Sequence, residues 1–226
     1  MTALLHRLGF SYKQPKHTPS KADLQAQEEF IKQYEQLKQN KQAEDTINFM
    51  DGVHPLHNSQ PAYGWIKKGT EKELKANTAR ERININGAYN IEEHSFVFHE
   101  DESVNAQSTI VLFDKMQRKQ VEGKINIIAD NARYYRSKLV SEYLKKNKRI
   151  QLIFLPPYSP NLNLIERLWR FFKRKITYNK YYEKFAVFKE KCLDFLRQLH
   201  LYKEELIKTM TEKFHLPERN SKPIPT

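Results

Sequence analysis

The chain has 226 residues, and 39% of them are hydrophobic, which is enough to build one substantial domain and a small accessory segment. A mean hydropathy of −0.79 and the lack of any apolar run near the roughly 20 residues of a membrane helix predict a soluble protein. The apolar part of the amino terminus is too short for a signal peptide. A single cysteine excludes an internal disulfide or a multi-cysteine zinc site. We therefore expect a cytoplasmic protein.

The net charge of +12 is concentrated in one part of the chain. Residues 115–191 contain 20 Lys and Arg but 6 Asp and Glu, a net charge of +14, so the rest of the chain carries −2. A basic block of this kind favours a polyanionic partner, because each Lys or Arg that contacts a phosphate releases counterions. The plainer alternative is a solvated basic surface that only improves solubility. We favour nucleic acid, and hence a nucleoid-associated location.

The first 45 residues predict two segments. Residues 1–20 resemble the tail or remnant of another module: the last turn of a helix, a stop at Gly9 and a short basic extended piece at 11–16. The Gln-, Glu- and Lys-rich stretch 21–45 is predicted to be an exposed linker helix with one apolar face. The apolar residues at helical spacing are Phe30, Tyr34 and Leu37.

Strands are predicted at four places before the first long helix: 46–51, 62–66, 82–88 and 95–99. The last two alternate polar and apolar residues with period two, as half-buried antiparallel strands do. Gly52 follows directly after Asp51, where it permits a sharp turn.

The second half of the chain predicts alternating helices and strands. The predicted helices are 103–120, 133–147, a helix from Ser159 to about Tyr178, and one or two within 183–213; the predicted strands are 125–129 and 150–155. Ser159 is expected to be the N-cap of its helix, with Pro160 at the first helical position. The order predicts an α/β fold with a mixed sheet flanked by helices. It divides into a main domain at 46–180, carboxyl-terminal helices at 181–215 and a disordered tail at 216–226.

Three carboxylates lie where they could meet. Asp51 and Asp130 end predicted strands that should be neighbours at one sheet edge, and 35 residues separate Asp130 from Glu166, which lies on a predicted helix. Each has a plainer interpretation on its own: Asp51 in a turn, Asp130 as a helix cap, Glu166 paired with Arg170. Together they form the set of hard oxygen ligands that phosphodiester chemistry with two Mg²⁺ ions requires.

The chemistry expected of such a site is in-line attack by water or a 3′-hydroxyl that one metal ion activates, while the second ion stabilises the leaving oxygen. Asp51 is the expected bridging ligand, with Asp130 on one ion and Glu166 on the other. The helix of Glu166 is predicted to present Asn163, Arg170 and Lys173 on its polar face. Its predicted buried face contains Leu162, Ile165, Trp169 and Phe172.

Basic residues around these carboxylates are the candidate DNA contacts: Lys67, Lys68, Arg133, Arg136, Lys138, Arg167, Arg170, Lys173 and Arg174. Two further groups are weaker candidates. His54 and His57 could ligate a metal, but DNA contact or a structural role in their loop is favoured. The tyrosines Tyr134, Tyr135 and Tyr158 could stack on unpaired bases, and a core or surface role fits them equally well.

Five segments resemble the catalytic domain of D-D-E transposases, and in particular the bacterial insertion-sequence transposases related to mariner elements. They are FMD at 49–51, HN at 57–58, YGWIKKG at 63–69, IADNA at 128–132 and LPPYSPNLNLIERLW at 155–169. The last is very specific, the fourth fairly specific and the first less so, and the resemblance covers about residues 46–178. It implies an RNase H-like fold and Asp51, Asp130 and Glu166 as the triad, with two Mg²⁺ or Mn²⁺ ions.

The resemblance also implies cut-and-paste transposition of double-stranded DNA, with hydrolysis at the element's ends followed by 3′-hydroxyl attack on a target, typically at a TA dinucleotide. A homodimer is expected, because two ends must be brought together. Two departures stand out. Gly52 replaces the Glu that follows the first Asp in many relatives, and there is no room before Asp51 for complete helix-turn-helix modules. A separate amino-terminal helix-turn-helix polypeptide, from a split reading frame, is therefore an expected partner.

Two other functions compete with this hypothesis. One is a stand-alone RNase H-like nuclease such as a junction resolvase, which would cut DNA without strand transfer. The other is a DNA-binding fragment that keeps the triad but does not catalyse.

Overall fold

The computed structural model describes residues 2–11, 21–78, 80–214 and 216. The predicted basic piece at 11–16 and the predicted disordered tail at 216–226 lie outside these residues, apart from residues 11 and 216. The described chain forms a five-stranded mixed sheet with helices on both faces, as the sequence predicted.

The strands are β1 Thr46–Val53, β2 Asn84–Asn90, β3 Ser95–Asp101, β4 Ile125–Ala129 and β5 Ile150–Phe154. Their order across the sheet is β3-β2-β1-β4-β5. The first three strands form an antiparallel meander, and β4 and β5 add parallel strands on the other side of β1. Parallel neighbours need crossover connections, and helices supply them here.

The helices are α1 Thr2–Arg7, α2 Leu24–Asn40, α3 Ala106–Lys119, α4 Lys138–Lys146, α5 Ile165–Ile176, α6 Phe185–Arg197 and α7 Lys203–Thr209. The predicted stop after the first helix is confirmed, since Gly9 has a φ of 82° and its N–H donates to the carbonyl of His6. No helix in the described residues is long and apolar enough to cross a membrane.

Alternate side chains of β1 pack on opposite faces of the sheet. Ile47 and Phe49 belong to a core shared with α2, α5 and α6, whereas Met50 belongs to a second core shared with α3 and α4. All five residues of β4 are buried, because both faces of this strand are covered. Strands that are buried on both faces in this way are typical of parallel sheets between helix layers.

The register of the sheet brings two of the three carboxylates to one edge. Met50 pairs with Ala129 at the end of the β1–β4 ladder, and Asp51 and Asp130 are the next residues of their chains. On its other side β1 continues, so that Asp51 pairs with Gly87 of β2. The predicted adjacency of the two strand ends is therefore confirmed.

Segment 62–66, predicted as a strand, has no regular structure. Its large apolar residues Tyr63, Trp65 and Ile66 are exposed instead of buried. The sheet offers this segment no place beside β1, since β2 and β4 already occupy both edges of that strand. Two short bridges, Leu56 with Arg82 and Gln60 with Tyr178, fix the base of the long β1–β2 connection.

Three helices in the second half of the chain begin later than the sequence predicts. The helix predicted at 103–120 begins at Ala106, because Asn105 is its N-cap. The helix predicted at 133–147 begins at Lys138, because Ser137 provides the N-cap by accepting from the N–H of Val140. The helix predicted from Ser159 is a single 3₁₀ turn, Pro160–Leu162, followed by α5. Ser159 does not cap it; its hydroxyl donates to the carbonyl of Pro157 over 3.2 Å.

Candidate active site

The three predicted acidic residues line a single cleft of about 440 Å³. Asp51 and Asp130 come from the carboxyl edge of β1 and β4, and Glu166 from the first turn of α5. The opposite wall is the proline-rich segment 155–160. Open α/β sheets usually place their sites at this edge, because the strand ends and following loops converge there.

Asp51 is the most constrained of the three. Its Oδ1 accepts from the N–H of Gly52 over 2.8 Å, and its Oδ2 accepts from Nε1 of Trp169 over 3.2 Å. Burial, reinforced by the negative charges of Glu166 and Asp130, raises the pKa of Asp51 to about 7 although both hydrogen bonds oppose the shift. A group of carboxylates that disfavours its own ionisation is suited to a multivalent cation.

Asp130 is exposed at the mouth of the cleft. Its Oδ1 accepts from the N–H of Ala132 over 3.0 Å, which orders the loop after β4. The alternative role of Asp130 as a helix cap is not observed, since Ser137 caps α4.

Glu166 is half-buried in the first turn of α5. Burial raises the pKa of Glu166. The negative charge of Asp130 raises this pKa further, while the positive charges of Lys173 and Arg170 oppose the shift. In the described part of the chain, Glu166 forms no ion pair with Arg170 within 4.0 Å. Its carboxylate is thus left to the cleft.

Amides hold the cleft walls together. Asn131 donates through Nδ2 to the carbonyl of Leu155 over 2.6 Å, and Asn163 donates through Nδ2 to the carbonyl of Met50 over 3.1 Å. Behind the proline-rich wall, Nδ2 of Asn161 donates to Oε1 of Gln27 on α2 over 3.0 Å. These bonds link the loops of the cleft to the sheet and to α2.

The donor atoms fit a hard divalent cation. The polar side chains at the centre of the cleft offer carboxylate and amide oxygens, which are the ligands that Mg²⁺ and Mn²⁺ prefer. Among the residues that the structure describes, no three His, Cys, Asp or Glu side chains stand close enough together to hold one ion by themselves. Ions bound here would share the carboxylates and complete their coordination with water or phosphate oxygens.

The predicted basic contacts fall into separate places. Arg167, Arg170 and Arg174 line a second cavity of about 360 Å³ with Thr209 and Thr211. Only Arg170 and Lys173 are close enough to Glu166 to affect its pKa. The remaining predicted contacts lie elsewhere: Lys67 and Lys68 in the β1–β2 connection, Arg133 and Arg136 after β4, and Lys138 at the start of α4.

Arg167 has a structural partner. Its guanidinium donates to the carbonyls of Thr211 and Lys213 and, over 2.8 Å, to the hydroxyl of Thr211. Burial, together with the charge of Arg170, lowers the pKa of Arg167. It therefore ties α5 to the segment after α7.

The histidines are engaged in loop structure. His57 is buried, its Nε2 lies 2.8 Å from the carbonyl of Tyr182, and its ring stacks on Phe188 at 5.4 Å between centroids. His54 is exposed, with Nδ1 2.8 Å from Oδ1 of Asn84. This agrees with the structural interpretation that the sequence favoured for His57.

The tyrosines divide into three roles. Tyr135 is buried in the core beside α3 and α4, and Tyr134 packs edge-on against it at 4.4 Å between ring centroids. Asp130 and Asp51 contribute to the raised pKa of Tyr134, after burial, so its hydroxyl is near the carboxylates. Tyr158 is 56% exposed on the cleft wall and has a positive φ of 56°, which is uncommon for a residue other than glycine.

Sequence reasoning missed two contacts of this site. The sequence predicts Trp169 only on the buried face of its helix and Asn163 on the polar face. In the structure Asn163 precedes α5 and is 5% exposed, and Trp169 donates to Asp51. Neither contact has a local signal, because both depend on how α5 lies across β1.

Comparison with known proteins identifies the class. A family model described as a DDE superfamily endonuclease matches residues 46–189, and a winged helix-turn helix model matches residues 1–34. The chain belongs to the DDE superfamily endonucleases, which are enzymes. This is the class that the sequence predicted.

One curated relative is the uncharacterized 39 kDa protein of insertion element IS630 from Shigella sonnei, 26% identical over 138 residues. The match covers 61% of this chain and 40% of the relative, so the chain spans less than half of that protein's length.

Two solved structures share the fold. The Mos1 transposase paired-end complex with left transposon end has a TM-score of 0.64 at 16% identity, covering 95% of this chain and 70% of that chain. The Mos1 mariner paired end complex with Mn has a TM-score of 0.64 at 15% identity, covering 95% and 71%. The predicted RNase H-like α/β fold is confirmed by this likeness.

Proposed function

We propose that this chain is the catalytic part of a DNA transposase, which cleaves the ends of an element and joins the freed 3′-hydroxyl to target DNA. The observation that carries the proposal is the convergence of Asp51, Asp130 and Glu166 on one cleft of a DDE endonuclease fold. The names of the similar proteins, an insertion-element protein and a mariner transposase, favour transposition over a stand-alone nuclease.

Two Mg²⁺ or Mn²⁺ ions would activate the attacking water or 3′-hydroxyl and stabilise the leaving oxygen. Asp51, Asp130 and Glu166 would hold the ions, and Asp51 is the ligand we propose that both ions would share, because the other two carboxylates both raise its pKa and two hydrogen bonds hold its carboxylate. Asp130 and Glu166 would each contribute to one ion. The raised pKa of Asp51 means that its carboxylate gives up a proton when cations bind at or below neutral pH.

The DNA backbone is proposed to follow the basic face of α5. Arg170 and Lys173 lie beside Glu166, and Arg170 and Arg174 line one cavity. Arg174 lies over the ring of Phe171, 5.2 Å from its centroid, which fixes the direction of its guanidinium. Tyr158, exposed on the cleft wall, is placed to stack on a base that leaves the duplex.

Assembly completes the proposal. The match of residues 1–34 to a winged helix-turn helix model supports a role for this segment, or for a separate polypeptide that extends it, in recognising element ends. Two ends require two catalytic sites, so we propose a homodimer on DNA. A protein with this task would work in the cytoplasm on the nucleoid.

The test uses the purified chain, supercoiled plasmid with and without element ends, and Mg²⁺ or Mn²⁺, beside the variant Asp130→Asn. Metal-dependent nicking that the variant lacks, followed by joining of end fragments to a second plasmid, is the expected result. Nicking without joining when ends and a helix-turn-helix partner are present would favour the nuclease alternative. Salt-sensitive DNA binding without any metal-dependent cleavage would favour the non-catalytic fragment.

A further inference from the structure

Asn163 connects the first and third carboxylates of the cleft. Its side chain is 5% exposed, and its Nδ2 donates to the carbonyl of Met50 over 3.1 Å. Its own carbonyl accepts from the N–H of Glu166 over 3.1 Å. Met50 directly precedes Asp51, so one residue spans the gap between the segment of β1 that carries Asp51 and the start of α5.

The orientation of this amide departs from the usual use of asparagine before a helix. Asparagine is among the preferred N-cap residues, because its side-chain oxygen can accept from the first free N–H groups. The N-cap position of α5 is Leu164, which provides no side-chain cap, and Asn163, one residue earlier, directs its amide to the strand. Its Oδ1 is buried and accepts no hydrogen bond in the described part of the chain. The amide of Asn163 therefore links α5 to β1 and does not cap the helix.

We propose that Asn163 is a positioning residue, which holds the start of α5 against β1 so that Asp51 and Glu166 keep the separation needed for a shared pair of cations. The proposal rests on the proposed metal-dependent function of the same cleft. Residues that orient metal ligands through a single hydrogen bond commonly change metal affinity or activity by about 10- to 100-fold when they are replaced.

Asn126 offers a matched comparison within the same fold. It is also buried, its Nδ2 donates to the carbonyl of Thr46 over 3.0 Å, and its Oδ1 also accepts no hydrogen bond in the described residues. It lies near the other end of β4, at the pair Ile47 with Asn126. An unpartnered oxygen is therefore not the distinguishing feature; what distinguishes Asn163 is the pair of carboxylate-bearing elements that it joins.

The experiment compares Asn163→Leu and Asn163→Ala with Asn126→Leu and Asn126→Ala in the full chain. Mn²⁺ binding is titrated by calorimetry without DNA, thermal unfolding is followed in EDTA, and kcat and KM are measured for nicking of supercoiled plasmid. We expect both Asn163 variants to weaken Mn²⁺ binding about tenfold or more and to lower kcat with little change in KM for DNA. The Asn126 variants should match them in Tm while binding Mn²⁺ as the wild type does.

Several outcomes overturn the proposal. Unchanged Mn²⁺ affinity in the Asn163 variants would refute the positioning role. If the wild-type chain still nicks DNA, the proposed function stands in that case. A loss in the leucine variant alone, with alanine like wild type, assigns the effect to packing and not to the lost donor. Equal losses at Asn163 and Asn126 assign it to general destabilisation. A wild-type chain that neither binds Mn²⁺ nor nicks DNA overturns the proposed function as well.

Discussion

The indole Nε1 of Trp169 donates a hydrogen bond to Oδ2 of Asp51 over 3.2 Å. Trp169 lies one turn after Glu166 on α5, so this bond is a second connection between the elements that carry the first and third carboxylates. The ring of Trp169 packs edge-on against Phe96 at 5.9 Å between centroids. The indole is thus fixed by the core and in turn fixes the carboxylate.

Trp169→Phe should weaken metal binding at the site while leaving most of the core packing intact. Phenylalanine keeps most of the packing but lacks the donor, and the pKa of Asp51 then rises further because a bond to the charged form is lost. We expect Mn²⁺ affinity at pH 7 to fall about tenfold, in keeping with a hydrogen bond to a charged group, and the loss to shrink at pH 9. Calorimetry at both pH values measures it. Trp65→Phe, at the fully exposed tryptophan, is the control.

Gly87→Ala should disturb the same carboxylate from the neighbouring strand. Gly87 pairs with Asp51, and a Cβ there would lie 2.6 Å from Cζ of Phe96 and 3.0 Å from Cη2 of Trp169. Both rings must move, at an expected loss of about 1–3 kcal/mol in the free energy of unfolding. Urea denaturation measures this loss, and nicking should fall because the Trp169 donor is displaced.

Gly64→Ala serves as the control for that substitution, since the nearest atom to a Cβ at Gly64 is 3.8 Å away. It should leave unfolding by urea unchanged within error. A Gly87→Ala protein of wild-type stability would contradict the close packing of Trp169 and Phe96 on this strand.

Metal binding should release a proton that comes from Asp51. Its pKa of about 7 means that the carboxyl group is mostly protonated at pH 6 and ionised at pH 8. We expect Mn²⁺ binding to release nearly one proton at pH 6 and almost none at pH 8, with affinity rising about tenfold per pH unit below 7. Calorimetry in buffers of different ionisation enthalpy counts the protons. In Asp51→Asn, any Mn²⁺ binding that remains should no longer release this proton.

The same pKa predicts the sign of stability against pH in EDTA. Folded Asp51 keeps a proton that the unfolded chain loses above its ordinary pKa of 3.8. Its contribution to the free energy of unfolding is therefore fully present below about pH 4 and is lost as the pH rises to about 7. Asp51→Asn should flatten that part of the profile, and an unchanged slope in this variant would assign the titration to other groups.

The fold was predictable from the sequence where a segment is buried on both faces, because its apolar pattern then fits only a central strand. The strand predicted at 125–129 has those bounds in the structure, because both helix layers cover it and all its residues are buried. The edge position of Asp51 and Asp130 followed from the same pattern. The strand predicted at 62–66 is wrong: its apolar residues suggest a strand, but only the whole sheet determines that β2 and β4 occupy both edges of β1.

The site was predictable at the level of its carboxylates but not of their supports. The motif around Glu166 identifies an acidic residue on a helix, and its family resemblance supplies the triad. The bonds from Asn163 to Met50 and from Trp169 to Asp51 arise only when α5 lies across β1. Arg167 shows the converse, because a basic residue counted toward DNA binding is engaged by carbonyls distant in the sequence.

Charge removal on α5 should change how DNA binding depends on salt. Arg170 and Arg174 form no ion pair with a carboxylate in the described residues, and they line one cavity. If both contact phosphates, the double variant R170Q/R174Q loses two counterion-releasing contacts, and the slope of log Kobs against log salt should become shallower by roughly 2. Fluorescence anisotropy with a labelled duplex across a salt series measures the slope.

The matched control removes two cations that already face carboxylates. Lys189 lies 2.8 Å from Glu100 and Arg197 lies 3.0 Å from Asp194, so K189Q/R197Q lowers the net charge equally. Long-range attraction falls in both double variants, but only direct phosphate contacts change the slope by the amount expected for two released counterions. Equal slopes in the two variants would mean that DNA follows a different face, and the basic residues after β4 would then be the next to replace.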